Sequence, residues 1–178
     1  VMFSLDNEPD LWSHTHAEVH PNAVTYDELC SRNATYAKMV KSVWPAAPVI
    51  GFVSYGWLGY VNLQNAPDAA GKPEFVDYYL ERMKAAETEA GKRVVDYLDL
   101  HWYPGARGDN IRIADDNSTN PSAALINARV QAPRSLWDPT YTETSWIAQT
   151  QTNGPIKLLP RVQQDIDIFK PDTKIAMT

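Results

Sequence analysis

The chain has 178 residues, 44% of them hydrophobic and 21% charged, an ordinary globular composition with ample length for one domain and a sizeable core. A net charge of -6 and a pI near 5.1 argue against nucleic acid or an anionic membrane surface as partner, and no apolar run approaches a membrane span. The single cysteine, Cys30, excludes an internal disulfide and, on the apolar face of a predicted helix, reads as a buried structural thiol rather than a nucleophile.

Residues 1–6 read as a strand that runs out into Asn7-Glu8-Pro9. Because the chain begins with Val1 inside that strand, it reads as a piece of a longer polypeptide, and no signal peptide is expected at its start. Thr25-x-x-Glu28 has the form of a capping box, opening a helix with Tyr26, Leu29, Cys30, Asn33, Ala37, Val40 and Trp44 on one face. Pro45 and Pro48 end it, and "PVIGFVSYG" is the second strand. After a loop, Pro73 suits the first position of a helix that presents Phe75, Val76, Tyr79, Leu80 and Met83, with Gly91 as its C-terminal cap. "DYLDLHWYP" is the third strand, closed by Pro104. A long polar connection with the turn-rich "ADDNSTNPS" follows. Short helices are predicted over 122–131 and 156–169, and "TKIAM" is a fourth strand.

Strand–helix alternation predicts an α/β fold of parallel β/α units, either a small open sheet or half of a (β/α)8 barrel. In such folds ligands gather beyond the carboxyl ends of the strands. Strand alternation puts Ser4, Asp6 and Glu8 on one face, and Asp99, His101 and Tyr103 on one face of the third strand. A polar face on a buried strand is expected where it lines a site. Glu8 is therefore the candidate for chemistry. Held between an amide and a proline in a partly desolvated cleft, a carboxyl keeps its proton more readily, as a general acid near neutral pH requires. Asn7 beside it could hydrogen-bond a substrate hydroxyl next to the reacting bond. The alternative is a solvated glutamate in a plain Asn-Glu-Pro turn.

Six Trp and nine Tyr are many for this length, and Trp12, Tyr55, Trp57, Tyr103 and Trp146 fall in polar, loop-like contexts suited to stacking on sugars. His14, His16 and His20 suggest a metal, but their spacing matches no strong zinc pattern. Asp115-Asp116 could hold a structural calcium, without EF-hand spacing; a solvated turn is the competing reading.

"LDNEPDLWSHTH" with the downstream "HP", "LDLHWYP" and "RSLWDPTYTETSWI" resemble motifs of glycoside hydrolase family 44, the endoglucanases and xyloglucanases, in the same order and at compatible spacing. The likeness covers essentially all of the chain. It implies a TIM barrel, of which residues 1–178 would form roughly strands 4 to 7 as a partial catalytic domain, without the β-sandwich domain of the family. It also implies a secreted, retaining endo-β-1,4-glucanase acting on β-glucan polysaccharide of plant cell walls, with no cofactor required. Glu8 matches the acid/base and Asn7 its partner. His101 and Tyr103 fall where the sixth strand borders the site, and Trp146 resembles a substrate-contacting loop aromatic. The family's nucleophile, a glutamate at the end of the seventh strand, would follow Thr178, and Glu143 falls in a loop instead. The chain by itself is thus expected to carry only the acid half of a two-carboxylate site and to be inactive. The competing readings are an inactive carbohydrate-binding homologue and a metal-dependent hydrolase built on the three histidines.

Overall fold

In a computed structural model that describes residues 1–115 and 119–178, the chain divides into two compact units, one of residues 1–102 with 163–178 and one of residues 103–162. The first unit holds a parallel four-stranded sheet of β1 (Phe3–Ser4), β2 (Val49–Ser54), β3 (Tyr97–Leu100) and β6 (Lys174–Ala176), adjacent in that order. Between β1 and β2 come a 3-10 turn (Pro9–Leu11), the short α1 (Trp12–Thr15) and the long α2 (Tyr26–Val43). Between β2 and β3 come α3 (Trp57–Asn62) and α4 (Phe75–Ala90). The second unit carries a two-residue-strand hairpin of β4 (Arg107–Gly108) and β5 (Ile111–Arg112), then α5 (Ala123–Gln131), a 3-10 turn and a π-helical turn at Ile147–Gln151. Helix α6 (Leu158–Phe169) leads back to β6.

Every residue of β2 is buried and none is polar from Val49 to Val53, so the strand shows no in/out alternation. Phe52 meets Phe75 at 4.7 Å and Tyr79 at 4.9 Å, and Tyr26 meets Phe75 at 4.6 Å, so rings from α2 and α4 close over the sheet. Each such large apolar side chain contributes about 1.5–3 kcal/mol on full burial. Several of the polar side chains taken inside are paired. Tyr79 donates to Asn33 Oδ1 at 2.9 Å, and Lys41 Nζ lies 2.7 Å from an Asp96 oxygen that also accepts from Val49 N. Lys170, which burial pushes below the usual lysine range, has three oxygens within reach, on Glu87, Val95 and Thr173.

Local signals mostly set the helix ends. Thr25 accepts from Glu28 N at 3.1 Å, the first half of the capping box. The second half is absent because the Glu28 carboxylate is drawn to His20 and Arg32 instead. Gly91 takes the left-handed conformation (φ 61°) that ends α4. Pro73 does not open α4: Glu74 caps it and the helix starts at Phe75. The segment 57–62, expected as loop, is helix α3. Cys30 is 1% exposed and burial pushes its thiol up, which fits the structural reading. No helix among the described residues is long and apolar enough to cross a membrane.

Candidate active site

Parallel pairing brings the ends of β1, β2 and β3 together, and the chain there departs from regular strand geometry. Glu8 has φ 53° and ψ 53°, a left-handed conformation uncommon for glutamate. Val53 has φ 61°, which for a β-branched residue is a genuine outlier, and the β2–β3 register shifts at that point. The two irregularities are joined, because Glu8 N donates to Val53 O at 2.8 Å. Strain of this kind persists only where its surroundings over-determine it, and it gathers at functional sites. The left-handed turn also corrects the simple alternation of Ser4, Asp6 and Glu8: Glu8 is aimed by the turn and not by the pleat.

The turn directs the Glu8 carboxyl to His101, whose Nδ1 lies 2.7 Å from Oε1. The Glu8 side chain remains 19% exposed while that of His101 is 9% exposed, so the pair is sheltered yet reachable. Behind the ring, Nε2 lies 3.3 Å from Thr178 Oγ1, which donates at 2.9 Å to Asp99 Oδ2. With that hydroxyl proton committed to Asp99, Nε2 must be the donor toward Thr178. Two proton arrangements then fit Nδ1: a neutral ring accepting from a protonated Glu8, or an imidazolium donating to the carboxylate. In both, one proton sits between Glu8 and His101, positioned for transfer. The hydroxyl of Tyr60 donates to the carbonyl of His101 and fixes the backbone that carries the ring.

The other sequence candidates of the first unit differ in placement. Asn7 is exposed beside Glu8, its N–H bonded to Asp6 Oδ1 at 2.7 Å. Tyr55 is 41% exposed at the end of β2. Trp12 is half-buried, its ring 5.0 Å from that of His20 and 5.8 Å from the Arg32 guanidinium. Together with Asp6, His16 and Val19 these residues line a cavity of about 350 Å³. Trp57 corrects the expectation of a loop platform: it is the first residue of α3 and only 6% exposed. Its ring packs edge-on against Tyr60 at 6.1 Å, because the segment winds into a helix.

In the second unit, Tyr103 is 49% and Trp146 46% exposed; Trp146, expected in a loop, has helical backbone at the head of the π-helical turn. Glu143 is 3% exposed and accepts from Ser135 Oγ at 2.6 Å.

The histidine cluster does not converge. His20 faces Glu28 Oε1 at 3.0 Å and Asn22 O at 2.8 Å with its two nitrogens, while His14 and His16 are exposed and bonded to neighbouring hydroxyls. No group of three or more metal-ligating side chains occurs among the described residues. For the calcium reading, Asp115 is exposed with its N–H on Arg112 O, and Asp116 lies outside the described residues.

Sequence reasoning missed Asp10 and Tyr60. Asp10 is 6% exposed, and both its oxygens reach the N–H of Tyr55, at 3.0 and 3.2 Å. Burial drives its carboxyl up to about 6, with the charge of Glu8 adding to the rise and hydrogen bonds from the Tyr55 and Asp10 backbone opposing it. A second acidic residue two positions past Glu8 was the available signal.

Comparison with known proteins gives this geometry a context. Residues 1–106 match the profile of Glycoside hydrolase family 44. The chain is 45% identical over 190 residues to a beta-mannanase/endoglucanase A of Caldicellulosiruptor saccharolyticus, covering 99% of this chain and 14% of that protein. It is 45% identical over 183 residues to an endoglucanase A of Paenibacillus lautus, covering 99% of this chain and 25% of that protein. A xyloglucanase of family 44 from Paenibacillus polymyxa, solved with xyloglucan, superposes with a TM-score of 0.91 at 46% identity, over 98% of this chain and 34% of that one. A family 44 endoglucanase from Clostridium thermocellum gives 0.92 at 46% identity, over 98% of this chain and 35% of that one. The chain thus spans about a third or less of the length of these relatives. With a profile match over more than half its length and such likeness in sequence and fold, the chain belongs to glycoside hydrolase family 44.

Proposed function

We propose that the protein to which this chain contributes is a retaining endo-β-1,4-glucanase acting on cellulose- or xyloglucan-like chains, with Glu8 as its acid/base. The observation that carries the reading is the contact of Glu8 Oε1 with His101 Nδ1, made at the carboxyl ends of parallel strands by a carboxyl that is sheltered but still reachable. In the first step Glu8 protonates the leaving glycosidic oxygen while a second carboxylate, supplied from outside this chain, attacks the anomeric carbon. In the second step Glu8 takes a proton from the water that releases the sugar. His101 orients Glu8 and shares its proton, Asn7 binds a hydroxyl next to the scissile bond, and Trp12, Tyr55, Tyr103 and Trp146 offer ring faces to pyranose units. Trp57, buried as it is, serves the reading as the support under Tyr60 and His101.

On this proposal β1, β2, β3 and β6 are the fourth to seventh strands of a TIM barrel, the protein is secreted, and no cofactor takes part. The chain by itself, holding one of the two carboxylates, turns over no glucan. The full-length protein provides the test. Proton NMR of the first products from a β-1,4-glucan is expected to reveal the β-anomer, as retention requires, and a first-formed α-anomer or absence of cleavage overturns the reading.

A further inference from the structure

Asp10 has no part in the mechanism above, yet it is the more deeply buried of the two carboxylates in the Glu8–Asp10 turn. Its carboxylate receives the Tyr55 N–H and so ties the turn after β1 to the end of β2. Two residues earlier on β2's side, the Glu8 N–H to Val53 O bond ties the same two segments. The ties bracket both left-handed residues, Glu8 and Val53. Leu11 N closes the turn on Glu8 O at 2.9 Å. The far side of Asp10 is fitted as closely: a Cβ on Gly59 would lie 2.4 Å from Asp10 Oδ2 and 3.0 Å from Ser54 Cβ, so α3 can approach only because residue 59 is glycine.

A buried ionisable group here is costly, since a neutral amide of the same shape could accept the Tyr55 bond with less loss of hydration. The groups that act electrostatically on it are Glu8, which opposes its charge, and His101, which favours it. A carboxylate within electrostatic reach of both the acid and the acid's histidine partner alters the proton balance of that pair as well as its geometry.

We infer that Asp10 is a positioning residue for Glu8 and Tyr55, fixing the left-handed turn that aims the Glu8 carboxyl and setting, by its charge, how firmly Glu8 keeps its proton. The inference deepens the glucanase reading and, for its catalytic consequence, rests on it. The sign of its cost in stability follows from the shift. A carboxyl raised from 3.8 to about 6 gives stability that is fully present below pH 3.8 and lost as pH rises through 6. Above pH 6 the fold therefore carries a penalty that Asn would not.

The test compares Asp10→Asn and Asp10→Ala in the full-length protein. Asp10→Asn keeps an acceptor for Tyr55 and removes the charge. It is expected to raise Tm at pH 7.5 relative to wild type, while kcat on polysaccharide falls about tenfold with KM little changed, and the basic limb of the pH–rate profile moves to lower pH. Asp10→Ala, lacking the strut, is expected to lose about a hundredfold in kcat. A direct arm needs no turnover: with ¹³C-labelled glutamate, the Glu8 carboxyl resonance should titrate at lower pH in Asp10→Asn than in wild type. An unmoved Glu8 titration overturns the inference even in an active enzyme. A moved titration in a protein that cleaves no glucan upholds it and overturns the hydrolase reading instead. Loss of Tm and kcat together in Asp10→Asn, with an unmoved pH profile, marks Asp10 as merely structural and also overturns it.

Discussion

Glu8 and Glu143 both sit in short polar motifs, and the fold treats them in opposite ways. Glu8 keeps 19% of its side chain exposed and faces a histidine that can give or take a proton. Glu143 is 3% exposed, and its Oε2 accepts from the hydroxyl of Ser135, eight residues back in the same unit. Its Oε1 is buried with no partner among the described residues. A proton donor must be held by its protein and still be open to the substrate. Glu8 meets both conditions, whereas Glu143 is closed off and bonded to a group that titrates far outside the working range. The difference lies in the partner and in the access.

The largest effect expected from this contrast is in Glu8→Gln. Glutamine keeps the size but has no proton to give the leaving oxygen, so the full-length protein should lose about 10²–10⁴ in turnover of polysaccharide. Aryl glycosides with good leaving groups need less acid assistance, and their glycosylation step should suffer less. Equal, small losses on both kinds of substrate would remove Glu8 from the acid role.

Next in size is the removal of the partner. His101→Ala deletes the ring that holds Glu8 Oε1 and opens a gap above Thr178 and Asp99. Freed from that contact, the carboxyl samples orientations about an ångström away from the productive one, for which roughly 10² in kcat is the expected cost. The pH–rate profile should change shape, because one of the two groups sharing the proton is gone. Should kcat fall while the profile stays superimposable on wild type, His101 would be a packing residue and the shared-proton arrangement would be wrong.

Much of the scaffold behind this contrast could be read in the chain. The alternation of strand and helix gave parallel pairing, and the periodicities of α2 and α4 named the faces that meet over β2, except at Trp44, which lies past the end of α2 and is 47% exposed. Thr25 and Gly91 stand at the helix ends where local chemistry put them. Glu8 and His101 were visible as polar residues at strand ends. Their contact was not, since it joins positions 93 apart through a left-handed turn at Glu8 and a register shift beside Val53. Nothing local makes valine adopt φ 61°; tertiary packing imposes it. Helix α3 escaped because Gly56, Gly59 and the asparagines that follow are loop-forming residues, and Trp57 was misplaced with it. Asp10 was passed over because burial, which sets its role, has no signature in two or three neighbouring residues.

The smallest expected effect sharpens the contrast from the other side. In Glu143→Gln the amide oxygen can take over the bond from Ser135 Oγ, so that buried hydroxyl keeps its acceptor. The new NH2 replaces an oxygen that already lacked a partner, and a neutral amide is cheaper to bury than a carboxylate. Stability at neutral pH should therefore change by about 1 kcal/mol or less. Turnover of polysaccharide should stay within a few-fold of wild type. Glu143→Ala differs in one respect, since it strands the Ser135 hydroxyl, itself 1% exposed, and should cost about 1–3 kcal/mol. Chemical denaturation of the full-length protein measures both changes, and the same preparations supply kcat. A Glu143→Gln variant that folds as wild type and yet loses 10² or more in kcat would place this glutamate in the chemistry, and the distinction drawn from access and partner would fail.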